Sequence, residues 1–144
     1  MMTTSPPPAT SVPAHQVQVS HLKSHAFAVT VRGHTLVTDQ PVEAGGDDRG
    51  PTPVEVLVVS LASCVAYYAG RFFERHHLDR EQLRVLADFT MADDRPARIA
   101  SVRLRVLVPH EVSGPRLEAL RAVVDHCTVH NTLRQPPEIQ IEFG

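Results

Sequence analysis

Lysine is almost missing from this chain: Lys23 is the only one. Its arginines are dispersed, no basic block occurs, and the net charge is -2 with a pI near 6.5. A nucleic-acid partner is therefore not expected. The start of the chain lacks a basic stretch followed by an apolar one, so it does not read as a signal peptide. An uninterrupted apolar run long enough for a membrane is also missing. The longest candidate, around Val54 to Phe73, is broken by Glu55, Ser60 and Ser63 and ends in charges. It reads as a core helix, and no membrane partner is expected. The expected location is cytoplasmic. Cysteine is scarce, with only Cys64 and Cys127. In a reducing compartment such a pair points to catalysis, metal binding or plain thiols before it points to a structural staple.

What is present suits one folded domain. The chain has 144 residues, 42 % hydrophobic and 21 % charged, enough for a proper core. Residues 1–14 are rich in Pro, Ser and Thr and are expected to form a disordered tail. The domain is expected over 15–144. Val17 and Val19, then Phe27, Val29 and Val31, alternate with polar residues as half-buried strands do. Lys23-Ser24-His25 reads as a turn between them, and Gly33-His34 leads to a third strand over Thr35 to Thr38. A loop follows from Gln40 to Gly50. Thr52 is a suitable cap and Pro53 a suitable first-turn residue for a helix running to about His77. Two hairpin strands are expected over Gln82 to Met91 and Ala97 to Val108. A second helix opens at Ser113-Gly114-Pro115, with Leu117, Leu120, Val124 and Cys127 on one stripe. A last strand is expected from Glu138 to Phe143. Hairpins dominate and no βαβ series occurs, so the fold class is α+β.

Several residues invite chemistry. A thiolate is the reactive form of cysteine, and apolar burial alone makes a thiol inert. Cys64 therefore needs a cation or hydrogen-bond donors nearby; Ser60, one turn earlier, supplies no charge. Cys127 points inward from its stripe, so two sulfurs on two core helices could meet. His126, Cys127 and His130 form a short metal-like cluster, and His76-His77 another, but three or four ligands are normally required. Glu55 serves either as a catalytic carboxylate or as the acid that complements the helix start. It falls on the opposite side of the helix from Cys64, about 13 Å away along the axis, so its expected role is to orient an arginine or to serve the site of another subunit. Arg32, read as part of the second strand, and Arg49, in the loop before Gly50, are the candidate cations. Arginine suits the role because its fixed charge stabilises a thiolate and its donors grip oxygen.

Gly45-Gly46-Asp47, then Gly50-Pro51-Thr52-Pro53-Val54-Glu55-Val56-Leu57, then Leu61-Ala62-Ser63-Cys64, resembles the OsmC/Ohr family of osmotically inducible and organic hydroperoxide resistance proteins. Asp125-His126-Cys127-Thr128-Val129 resembles that family's second cysteine segment. The resemblance extends over about His15 to Gly144. It implies an intertwined homodimer in which curved antiparallel sheets wrap two central helices. It also implies a thiol-dependent peroxidase for organic, alkyl or fatty-acid hydroperoxides in oxidative-stress defence, working without a metal or organic cofactor. Cys64 matches the peroxidatic position and Cys127 the resolving one. A dithiol, in some members a lipoylated protein, is the implied reductant. In the peroxidase branch a glutamate directly follows the motif's proline; here Val54 stands there and Glu55 comes one residue later.

The mechanism this implies runs through a sulfenic acid on Cys64 and a Cys64–Cys127 disulfide, with an arginine activating Cys64 and Glu55 holding that arginine. Tyr67, Tyr68, Phe72 and Phe73 are either pocket walls or core. The competing expectation is a non-catalytic OsmC-like stress protein, or a binder of apolar ligands, with unreactive cysteines.

Overall fold

The computed structural model describes residues 13–144, so the tail expected at 1–14 lies almost wholly outside the described residues. Among the described residues, two sheets and three α-helices make an α+β fold. The chain divides into two compact units, one ending at Val56 and the other spanning Leu57–Gly144.

In the first unit, β1 (Val17–Lys23), β2 (Ala26–Val31) and β3 (His34–Thr38) form an antiparallel sheet in the order β1-β2-β3. Val19 pairs with Val29, and Val29 with Leu36, so the alternating apolar positions share one face. Ser24 and Arg32 adopt left-handed backbone in the two tight turns. Arg32 therefore lies in the turn after β2, which ends at Val31, and not on the strand as expected. Little of this sheet is covered: Val17, Val19 and Leu36 are each more than half exposed.

The loop after β3 is organised by Asp39, which is 1 % exposed. Its carboxylate accepts backbone N–H groups from Gln40 (2.7 Å), Asp47 (3.3 Å) and Arg49 (3.1 Å). The chain is pulled so tight that a Cβ on Gly46 would sit 2.0 Å from the Gln40 carbonyl oxygen, and one on Gly50 2.1 Å from that of Val37. Only glycine fits these two places, which accounts for two conspicuous residues of the motif. Burial pushes the Asp39 carboxyl up, but the amides of Arg49, Gln40 and Asp47 and the Arg49 charge outweigh it, leaving its pKa below the ordinary value. A carboxylate with a lowered folded pKa stabilises the fold above its unfolded pKa, and this contribution disappears as pH falls through the folded value. The thermal midpoint is expected to drop steeply below about pH 4. Asp39→Asn should lower it at neutral pH and flatten the acid slope. An unchanged acid slope in thermal melts would show that Asp39 is not the group responsible.

α1 (Pro53–Arg75) begins with a reciprocal capping box. The Thr52 amide donates to Glu55 Oε1 (3.0 Å), and the Glu55 amide donates to Thr52 Oγ1 (3.2 Å). The helix ends where His77 takes left-handed backbone. The Leu78 amide then reaches back to the Phe73 carbonyl and the His77 amide to that of Glu74. That is a Schellman closure, and Leu78 packs on the core beside it.

Among the described residues, α1 is the one helix long and apolar enough to cross a membrane. Its Leu61, Val65, Ala69, Phe72 and Phe73 are instead buried in the core of the second unit. The expected core helix is buried on one side only: Leu57 and Val59 are 41 % and 53 % exposed, and Tyr67 60 %. A single chain of this size covers only one side of such a helix.

The second unit adds the hairpin β4 (Arg84–Met91) and β5 (Ile99–Leu107), then α2 (Pro115–Val124) and α3 (Thr128–Arg134). Val85 pairs with Val106, Ala87 with Leu104 and Phe89 with Val102. Val102, Leu104 and Val106 pack under α1, and Leu120 of α2 closes the core against Phe72 and Phe73.

Two expectations fail here. The second helix does not continue to Cys127: it stops at Val124, makes a tight turn, and restarts at Thr128. Asp125, a weaker helix former that follows the β-branched pair Val123-Val124, falls at the break. Nor does Glu138 to Phe143 form a strand within the chain. Ile139, Ile141 and Phe143 keep their period-two spacing but are 76 %, 78 % and 96 % exposed. A ladder needs a neighbouring edge, and no strand among the described residues pairs with this one.

Candidate active site

Cys64 and Cys127 come together in the second unit. Cys64 lies mid-way along α1 and is half-buried; Cys127 caps the start of α3 and is fully buried. Both belong to one apolar cluster with Leu61, Val65, Tyr68, Val102, Leu104 and Val129. Neither is in a disulfide.

The two thiols differ in environment. Burial pushes the Cys127 thiol up, and its hydrogen bond and charge repulsion with Cys64 push the same way. The backbone amides of His130 and Val129 oppose that rise without forming a proper cap hydrogen bond. The net effect keeps the Cys127 thiol above its ordinary pKa. The turn that ends α2 at Val124 is what delivers this thiol. It replaces the expected helical stripe, and it leaves the backbone amides of α3 facing the sulfur.

Tyr68, one turn beyond Cys64, fixes α3 from the other side. Its hydroxyl and that of Thr128 are hydrogen-bonded at 3.1 Å. The sequence marks Tyr68 only as a wall or core residue and does not mark Thr128. The i, i+4 spacing of Cys64 and Tyr68 was the available signal. Ser60 contributes nothing to the sulfur as a donor, because its hydroxyl donates to the Leu57 carbonyl of its own helix (2.8 Å). Phe72 and Phe73 are core, at 3 % and 0 % exposure, while Tyr67 is exposed.

The other expected site residues belong to the first unit. Arg49 lies beside Asp39, where its amide donates and its charge acts on the carboxylate. Glu55 is engaged at the start of α1. The amide and hydroxyl of Thr52 hold its carboxyl below the usual range against a smaller opposing push from burial. Arg32 stands in its exposed turn. The histidine clusters do not assemble: among the described residues, no three His, Cys, Asp or Glu side chains converge as metal ligands.

A buried thiol packed beside a half-buried one is chemically suited to two-electron thiol–disulfide chemistry. Residues 45–142 match the family described as OsmC-like protein. No curated protein matches the chain. Among solved structures, a candidate osmotic stress induced and detoxification response protein from Psychrobacter arcticus 273-4 is 20 % identical with a TM-score of 0.73, over 84 % of this chain and 89 % of that one. An organic hydroperoxide resistance protein OsmC from Legionella pneumophila is 16 % identical, with a TM-score of 0.56 over 85 % and 92 %. A candidate organic hydroperoxide resistance protein from Vibrio cholerae O1 biovar eltor, carrying captopril in one of its active sites, is also 16 % identical, with a TM-score of 0.57 over 90 % and 92 %. At these identities the structures share the fold. With the match covering more than half of the sequence, the chain belongs to the OsmC/Ohr family.

Proposed function

We propose that this protein is a thiol-dependent peroxidase that reduces organic hydroperoxides. The observation that carries the reading is the packing of a half-buried Cys64 against a fully buried Cys127. The more accessible thiol is the natural first attacker, and the sheltered one the natural second.

Cys64, as thiolate, attacks the distal oxygen of ROOH. The O–O bond breaks, the alkoxide leaves and takes up a proton as ROH, and Cys64 becomes a sulfenic acid. The Cys127 sulfur then attacks the Cys64 sulfur, expels water and forms the disulfide. A dithiol, such as a dihydrolipoyl group on a protein, exchanges with that disulfide; it leaves as its own disulfide and both cysteines return as thiols. Arg32 or Arg49 is the proposed activating cation, with Glu55 orienting it through the carboxylate oxygen that the Thr52 amide does not use. No metal or organic cofactor takes part. Apolar walls from α1 favour alkyl and fatty-acid hydroperoxides over hydrogen peroxide. Cytoplasmic oxidative-stress defence is the corresponding role.

A homodimer is part of this reading. Two uncovered apolar features support it: the sheet residues Val17, Val19 and Leu36, and the alternating Ile139, Ile141 and Phe143. An extended segment with that spacing is suited to add to a sheet edge of a second copy.

The catalytic reading is tested with Cys127→Ser. It should consume about one equivalent of hydroperoxide per chain, then stop, with a sulfenic acid on Cys64 that dimedone traps and mass spectrometry locates. Continued dithiol-dependent turnover at the wild-type rate would remove Cys127 from the mechanism. A Cys64 that never becomes dimedone-reactive would favour a non-catalytic stress protein or apolar-ligand binder.

A further inference from the structure

Beside the thiol pair lies a cleft of about 270 Å³ lined by Tyr68, Arg71, Phe72, Arg75, Val123 and His126. Tyr68 is one turn from Cys64, and His126 directly precedes Cys127, so the cleft adjoins the reacting sulfurs. Its floor is apolar, from Phe72 and Val123, and its rim is cationic. No carboxylate lines it. Among the described residues, neither Arg71 nor Arg75 takes part in an ion pair, although four other arginines do. The Arg71 guanidinium lies 6.0 Å from the centre of the Tyr67 ring, which gives it an aromatic support. Helical spacing places Arg71 and Arg75 on the Cys64 side of α1, about 10 and 16 Å further along the axis. Two unpaired guanidinium groups above a hydrocarbon floor match an acid group at the end of an alkyl chain.

We propose that this cleft is a carboxylate subsite: Arg71 and Arg75 hold the acid end of a molecule whose other end reaches Cys64 and Cys127, with His126 as a further polar contact. That the far end reacts rests on the peroxidase reading above; the binding of the acid does not. The carboxylate belongs either to a fatty-acid hydroperoxide or to a free dithiol acid of the dihydrolipoate type, and the two sources are separable.

Binding is measured first, by NMR titration of the wild-type protein with octanoate and with methyl octanoate. Octanoate should bind at least about tenfold more tightly, with an affinity that weakens as salt rises. The double variant Arg71→Gln, Arg75→Gln, checked for folding by circular dichroism, should lose that preference, and Arg71→Lys, Arg75→Lys should keep part of it. Equal binding of acid and ester, or a preference that survives the glutamine variant, overturns the subsite. Steady-state kcat/KM then identifies the source. A preference for linoleic acid hydroperoxide over its methyl ester assigns the subsite to the oxidant. A preference for dihydrolipoate over dihydrolipoamide assigns it to the reductant. Octanoate binding without hydroperoxide consumption would keep the subsite and remove the peroxidase; consumption without any acid preference in binding would do the reverse.

Discussion

Cys64→Ser should abolish hydroperoxide consumption while leaving the fold intact. A hydroxyl at this position has neither the nucleophilicity nor the oxidation chemistry of a thiolate. The expected loss is at least about a thousandfold in rate, more than about 4 kcal/mol of barrier. Ser and Cys are similar in volume and Cys64 is only half-buried, so the melting curve should move little. The pairing of lost activity with retained stability separates chemistry from packing. If the serine variant keeps dithiol-dependent consumption of an alkyl hydroperoxide, Cys64 is not the attacking group. Loss of activity together with loss of the folded signal would assign it a packing role.

The second large effect concerns assembly. Ile141 is 78 % exposed in the single chain, so a monomer should tolerate Ile141→Asp without cost. In the proposed dimer the same side chain is covered by the second copy, and an unpaired carboxylate there is strongly unfavourable. The substitution should weaken the dimer by about 3 kcal/mol, roughly a hundredfold in Kd. Sedimentation equilibrium of wild type and variant reads this directly. A wild-type protein that sediments as a monomer at micromolar concentration, or a variant that dimerises as well as the parent, would contradict the assembly.

The local signals in the sequence were those that one chain can satisfy by itself. Val17, Val19, Val29 and Val31 alternate because one sheet face differs from the other, and they appear in β1 and β2. Thr52, Pro53 and Glu55 announced the start of α1 because a helix start leaves amides that those side chains complete. The role of Asp39 was not legible. Its partners are backbone amides eight and ten residues away, and no residue-type pattern marks such bonds. Gly46 and Gly50 were visible as motif residues, but their cause is a close approach of backbone that only coordinates reveal.

At the candidate site the cysteines themselves were legible, and the turn that presents Cys127 was not. Leu117, Leu120, Val124 and Cys127 fit a helical stripe, yet the chain turns at Asp125 and begins a new helix. Hydrophobic spacing alone does not register a break shorter than one turn. Glu138 to Phe143 carries the alternation of a strand without a partner strand among the described residues. Such a pattern specifies which face wants cover, and the source of that cover lies outside the sequence signal.

The most direct test is to oxidise the reduced wild-type protein with one equivalent of an alkyl hydroperoxide and map its cysteines under non-reducing conditions. The account predicts loss of two hydrogens from each chain and a linked peptide pair that joins Cys64 to Cys127 within one chain. Two free thiols after the hydroperoxide has been consumed, or a sulfenic acid on Cys64 that Cys127 never resolves, would contradict it.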